Sequence, residues 1–219
     1  MRNADYTILD FDGTIADTLE MVLGVYNRIS HEYGLQPVSN DDRELFRTKK
    51  PQELMKTFGI SKLKMLTLTL RLRKEMSLHL PEMKPFPGID AALAEISSTG
   101  CRLGILTSNS VENVRKFLDI NKMGALFDFV CSGRSFLGKE KVIRKVISRE
   151  QLDAGRVIYI GDETRDIEAS RAAGIPVIAV SWGLNRRELL ASLLPDQIAD
   201  TPHELPGLVR KIFQSRPAM

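Results

Sequence analysis

Tyr6-Thr7-Ile8-Leu9-Asp10-Phe11-Asp12-Gly13-Thr14 is a short apolar run that ends in two carboxylates and a glycine. Brief apolar runs closed off by polar residues or glycine suit strands buried on both faces of a parallel sheet. Carboxylates at the end of such a strand are costly to desolvate unless a positive charge offsets them. At strand period Asp10 and Asp12 fall on one side and Phe11 on the other. Two acids so close repel, which favours a bound divalent cation or one raised pKa. Gly13 permits a sharp turn that brings backbone N–H groups towards a ligand. A helix cap or a loop acid would account for Asp12 alone, because Asp10 lies within the apolar run.

Three further runs share this character: Arg102–Thr107, Val157–Ile160 and Pro176–Val180, with Asp128–Cys131 a weaker fifth strand. Between them, helical spacing groups Ala92, Leu93 and Ile96, then Val111, Val114 and Leu118, then Val142, Ile143, Val146 and Ile147, and finally Ile167–Ala173 after an acidic turn. The alternation predicts a doubly wound, Rossmann-like α/β fold with a parallel sheet. Residues 17–84 break it. Leu19–Tyr33 has a helical stripe with Gly34 at its C-terminal end, Ser39 or Asn40 caps a second helix, and Lys62–Leu80 fits both a strand period and a helical stripe. Its length and lack of turn residues favour the helix, and Pro81, Pro85, Pro87 and Gly88 end it. The predicted domains are therefore an α/β core of residues 1–16 and 85–219 and an inserted all-helical cap of residues 17–84.

The chain has 219 residues, enough for a sizeable core, with 31 Lys plus Arg against 28 Asp plus Glu. Residues 17–84 hold 12 of the basic and 9 of the acidic residues, so the whole excess of three positive charges falls on the insertion. A solvated helical face explains this, as does a positive lid for an anionic substrate. Arg47, Lys49 and Lys50 are its candidate substrate-facing group. The excess is too small to indicate nucleic acid. No apolar stretch approaches a membrane span, and the acidic N-terminal stretch has no signal-peptide character. Two cysteines, Cys101 and Cys131, make no disulfide framework, so a cytoplasmic protein is expected.

A second acidic site, Ile160-Gly161-Asp162-Glu163-Thr164-Arg165-Asp166, again follows an apolar run. Oxygen-rich carboxylate sites suit Mg²⁺; alone, this segment reads equally as an acidic helix N-terminus. In open α/β sheets ligands bind beyond the C-terminal strand ends, where both acidic sites would lie. Thr107-Ser108-Asn109-Ser110 clusters hydroxyl and amide groups at a helix start, suited to phosphate or to plain capping by Ser108 or Ser110. Lys139 opens the Val142–Ile147 stripe and would neutralise carboxylate and phosphate together, although a lysine there is usually only solvated.

These segments, in this order, resemble the haloacid dehalogenase-like superfamily, in the phosphatase subgroup with a helical cap after the first strand, and the likeness spans nearly the whole chain. Asp10-Phe11-Asp12-Gly13-Thr14 with Asp17 is similar to the first motif, Thr107 to the second, Lys139 to the third, and Gly161-Asp162 with Asp166 to the fourth. Pro85-Phe86-Pro87-Gly88 resembles the return hinge. The third motif departs from the Lys-Pro of many relatives: the chain has Lys139-Glu140-Lys141, and Lys141 is the reserve. The resemblance implies a phosphoric monoester hydrolase. Asp10 would be the nucleophile that forms an aspartyl-phosphate, and Asp12 the general acid and base. Thr107, Ser108, Asn109 and Lys139 would bind phosphate. Mg²⁺ would be held by Asp10, Asp12 (through its backbone carbonyl), Asp162 and Asp166, with Glu163 as replacement or support for Asp166. The implied partner is a small phosphorylated metabolite, with phosphoglycolate phosphatase-like enzymes the first choice and a monomer or homodimer as the assembly. A sugar phosphomutase of the β-phosphoglucomutase kind shares every motif, and a non-catalytic binding protein on the same fold remains an alternative. A dehalogenase would need neither Asp12 nor a metal, and a receiver domain would lack the insertion.

Overall fold

The computed structural model describes residues 4–133 and 138–215. The first three residues, part of the stretch read for a leader, lie outside it. Eight strands and ten helices follow in the order β1 (Tyr6–Leu9), β2 (Ala16–Asp17), α1 (Leu19–Ile29), α2 (Asn40–Thr48), α3 (Pro51–Thr57), α4 (Lys62–Met76), β3 (Lys84–Pro85), α5 (Ile89–Ser98), β4 (Arg102–Thr107), α6 (Val111–Ile120), β5 (Phe127–Ser132), α7 (Lys139–Arg149), β6 (Val157–Gly161), α8 (Thr164–Ala173), β7 (Val177–Val180), α9 (Arg187–Ser192), β8 (Gln197–Ala199) and α10 (Leu205–Gln214). Six strands form one parallel sheet in the order β5-β4-β1-β6-β7-β8.

The inner strands β1, β4, β6 and β7 are mostly apolar because helices cover both faces. On one face Leu9, Leu103, Ile105, Ile158, Ile160, Ile178 and Val180 pack with residues of α5, α6 and α10. Tyr6, Ile8, Leu106, Tyr159, Val177 and Ala179 point the other way, against α7, α8 and α9. Successive residues thus alternate between two cores, as the pleat requires. Leu9 lies level with both Ile105 and Ile160, so β1 ends within one residue of β6 and two of β4. β8 was not anticipated, since Gln197–Ala199 is too short to register as an apolar run.

The helical insertion leaves and rejoins the core through a two-stranded antiparallel ribbon, β2 with β3, that pairs Ala16 with Pro85 and Asp17 with Lys84. Inside it, Ser39 caps α2: its hydroxyl accepts the Asp42 N–H, and the Asp42 carboxylate accepts the Ser39 N–H. Gly34 takes φ +61°, the left-handed conformation that ends the first helical segment. The ambiguous stretch 62–80 is helix α4 running into a 3-10 turn at Ser77–Glu82. Leu23, Tyr26, Ile29, Val38, Ile60 and Leu68 form the insertion's own apolar cluster. Among the described residues no helix is long and apolar enough to cross a membrane.

Candidate active site

The chain turns sharply directly after β1. The N–H groups of Ile15 and Ala16 both bond to the Phe11 carbonyl, and Gly13 adopts φ +78°. Phe11 is driven into the core, edge-on to Phe117 with ring centroids 5.0 Å apart. Asp10 stays at the sheet edge, its N–H completing the ladder to the Ile160 carbonyl at 2.9 Å. β6 delivers Asp162 beside it, and the first turn of α8 delivers Asp166.

One oxygen from each of Asp10, Asp162 and Asp166 lies within 4.8 Å of the others, and all three residues are buried. Lys139, at the start of α7 and also buried, places Nζ 2.5 Å from Asp10 Oδ2 and contacts Asp166 Oδ1. Burial opposes its charge, but Asp10 and Asp166 outweigh that and hold the ammonium well above the ordinary lysine range. The Lys139 Nζ also stands 5.1 Å from the Tyr159 ring centroid. Lys141, the reserve, is exposed.

Burial, then the charges of Glu163, Asp166 and Asp10, push the Asp162 carboxyl well above its ordinary value, although the Leu184 N–H donates to it at 2.8 Å. Burial likewise raises Asp166 to about 6, with Lys139 opposing and Asp10 and Glu163 adding. Asp166 also accepts the Glu163 N–H at 2.9 Å, so the helix-start reading of this acid holds alongside its place in the cluster. Glu163 turns elsewhere: its carboxylate pairs with Arg165, which overcomes burial and holds it below the usual range.

Asp12 stands outside the three-carboxylate cluster and is half-buried. Burial, then the charge of Asp10, lift its carboxyl to about 7, against hydrogen bonds from Thr18 and Asn109 and the charge of Arg73. Thr107 ends β4 fully buried, its hydroxyl accepting the Asn109 N–H at 2.8 Å. Asn109 Nδ2 reaches Asp12 Oδ2 at 3.3 Å, and Ser110 rather than Ser108 caps α6. Ser108 faces the cavity beneath the insertion.

Some participants go beyond the roles read from sequence, where Thr14 was only part of the first stretch and Trp182-Gly183 either shaped the core or simply packed there. Thr14 donates its hydroxyl to Asp162 Oδ1 at 2.9 Å. A Cβ on Gly13 would overlap the Asp162 carboxylate, and one on Gly183 would overlap both that carboxylate and the Gly13 carbonyl. Gly183 lies just beyond an apolar strand, β7, and that position was its sequence signal. Trp182 beside it donates Nε1–H to the Thr14 carbonyl at 3.2 Å, bracing the turn. Arg47, Lys49 and Lys50 do not line the cavity; Lys50 instead pairs with Glu168 of α8 at 2.8 Å, and the Arg47 carbonyl accepts the Arg186 N–H. The basic residue at the cavity wall is Arg73 of α4.

The site is thus a cluster of acids and one lysine at the C-terminal ends of a parallel sheet, beside a helical segment that follows the first strand. Residues 7–180 match the family model described as haloacid dehalogenase-like hydrolase. A phosphoglycolate phosphatase of Synechococcus elongatus is 33% identical over 207 residues, covering 94% of this chain and 98% of that protein. A haloacid dehalogenase-like hydrolase from Streptococcus pneumoniae superposes with a TM-score of 0.77 at 24% identity, covering 94% of this chain and 98% of that one. CbbY from Rhodobacter sphaeroides, solved with phosphate, gives 0.71 at 22% identity over 92% and 96%. The chain belongs to the haloacid dehalogenase-like hydrolase family and, within it, to the phosphoric monoester hydrolases.

Proposed function

We propose that the chain hydrolyses a small phosphorylated metabolite in a Mg²⁺-dependent reaction, with Asp10 carrying the phosphoryl group as an aspartyl-phosphate. The observation that carries this reading is the meeting of Asp10, Asp162 and Asp166 around a point next to the Lys139 ammonium. Three buried carboxylates against one buried ammonium leave surplus negative charge, and an all-oxygen donor set suits a hard divalent cation. In this reading Asp10, Asp162 and Asp166 hold Mg²⁺, with the Asp12 backbone carbonyl adjoining and Glu163 left to Arg165. The ion, when bound, would neutralise charge on the transferring phosphoryl oxygens.

The chain's own groups supply the remaining steps. Lys139 fixes Asp10 Oδ2 and lowers the cost of bringing an anionic phosphate to an anionic nucleophile. A carboxylate oxygen of Asp10 attacks phosphorus while the ester P–O bond breaks. Asp12, raised to about 7, is suited to hold the proton that passes to the leaving oxygen. It then takes a proton from the water that attacks phosphorus, and the Asp10–phosphorus bond breaks to release inorganic phosphate. Thr107, Ser108 and Asn109, where β4 meets α6, are assigned to the phosphate oxygens. The division into a core of 1–16 with 85–219 and a cap of 17–84 belongs to this proposal, with the β2–β3 ribbon as its hinge. Phosphoglycolate is the substrate in the name of the S. elongatus relative and supports a small phosphorylated compound here. Cys101 and Cys131 are both free and buried, which supports a reducing, cytoplasmic setting.

The test is phosphate release from p-nitrophenyl phosphate by wild type and Asp10→Asn, with Mg²⁺ and with EDTA. Release by wild type with Mg²⁺ alone is expected. Release unaffected by EDTA, or full activity in Asp10→Asn, overturns the assignment.

A further inference from the structure

A cavity of ≈ 280 Å³ runs from Asp12 and Asn109 upward into the helical insertion. On the insertion side its walls include Val22, Phe46, Ile60, Met65, Leu68 and Leu72. A neighbouring hollow of ≈ 290 Å³ shares four of these walls and extends to Phe58, whose ring stacks on Phe46 at 5.6 Å. The space beside the candidate active site is therefore mostly hydrocarbon.

The polar atoms on these walls are largely committed. The Tyr26 hydroxyl donates to the Gln36 carbonyl at 3.0 Å, and the Thr69 hydroxyl donates to the Met65 carbonyl at 2.8 Å. Thr18 hydrogen-bonds Asp12. Of the two cations on these walls, Arg165 is paired with Glu163, and Arg73 stands at the Asp12 end of the cavity, where its charge acts on that carboxylate. A sugar or hydroxy-acid body seated here would bring hydroxyl groups that find few partners, and an unpaired buried hydroxyl is costly. Hydrocarbon meets no such penalty. A dry apolar cavity of about 150 Å³ takes up benzene, so a cavity nearly twice that size has room for a phenylalkyl or medium alkyl group.

Resting on the phosphatase reading above, we propose that the substrate is a phosphate monoester with an apolar body, alkyl or aryl-alkyl, rather than a phosphorylated sugar or 2-phosphoglycolate. The phosphate occupies the Asp10 end, and the hydrocarbon fills the cavity between α1 and α4. Of the insertion's cations Arg73 lines this space, whereas Arg43 pairs with Glu20, and Arg71 with Glu32 and Glu75, away from it.

The test compares kcat/KM with Mg²⁺ for primary alkyl esters, so that leaving-group chemistry is matched: 2-phenylethyl phosphate and hexyl phosphate against ethyl phosphate, glucose 6-phosphate and 2-phosphoglycolate. The expected preference for the two large apolar esters is at least about tenfold, the scale on which apolar pockets discriminate. Leu72→Gln is expected to narrow that ratio. Equal or better turnover of 2-phosphoglycolate or glucose 6-phosphate overturns the substrate class and leaves the phosphatase reading intact. Absence of turnover for every ester overturns the phosphatase reading instead. In that event calorimetric binding of 2-phenylethylphosphonate against methylphosphonate decides the cavity: at least about tenfold tighter binding of the larger ligand supports the proposal, and equal affinity overturns it.

Discussion

Replacing Lys139 by Met keeps an unbranched side chain of similar length and removes one charge. In the structure that charge lies 2.5 Å from Asp10 and in contact with Asp166, with the lysine side chain only 4% exposed and that of Asp166 fully buried. Its loss strands those carboxylates next to Asp162, also buried. Removing one partner of a buried ion pair costs about 3–5 kcal/mol, because the other charge remains without compensation. For a chain of this size each kcal/mol moves the melting temperature by about 2–4 °C, so Lys139→Met should melt about 6–20 °C below wild type in EDTA. Mg²⁺ should restore part of the difference, since a cation bound only by the folded state stabilises it. The assay is thermal unfolding of both proteins with EDTA and with a Mg²⁺ series. A loss below about 1 kcal/mol in EDTA, the scale of a surface pair, would refute the argument that this ammonium holds the carboxylate cluster together.

Other expectations follow from the same geometry. Asp12→Asn should lower kcat by about 10²–10⁴-fold, the usual worth of a positioned acid or base, as read by steady-state phosphate release; an unchanged kcat would remove Asp12 from the chemistry. Gly183→Ala places a methyl group against the Gly13 carbonyl and the Asp162 carboxylate, so Mg²⁺ titration of activity should show a weakened metal requirement curve, shifted to higher concentration; an identical curve would contradict the packing seen here. Phe117→Ala removes the ring packed edge-on against Phe11 in the fully buried core and should cost about 3–5 kcal/mol in denaturant unfolding.

What the sequence disclosed and what it withheld divides along physical lines. The central strands were legible because burial on both faces demands continuous apolar runs, and α/β alternation then implied a doubly wound sheet. The strand ends were legible because carboxylates after such runs are costly without a purpose. β8 was hidden by its three-residue length. The β2–β3 ribbon was hidden because two residues on each side carry no period. For Lys62–Leu80, alternating Leu and Thr gave a strand period as strong as the helical stripe, and only its length and lack of turn residues favoured α4. Within the site, Asp10, Asp162, Asp166 and Lys139 come together in the structure, whereas the choice between Asp166 and Glu163 depended on where Arg165 points, a tertiary fact. Thr14, Gly183 and the Leu184 N–H converge on Asp162 from positions 148, 21 and 22 residues away along the chain, a meeting that periodicity does not encode. Arg73 faces the cavity while Arg47, Lys49 and Lys50 do not, because helix orientation in the insertion is set by the apolar cluster and not by the charges.

The central claim is a covalent bond from phosphorus to Asp10, and its most direct measurement is mass spectrometry of Asp12→Asn quenched in acid during turnover of p-nitrophenyl phosphate with Mg²⁺. The account predicts one phosphoryl group per chain, on the peptide containing Asp10, removed by hydroxylamine and absent when Asp10 is also replaced by Asn. Phosphate release by wild type with no labelled Asp10 in the variant, or a label on another residue such as Ser108, would contradict it.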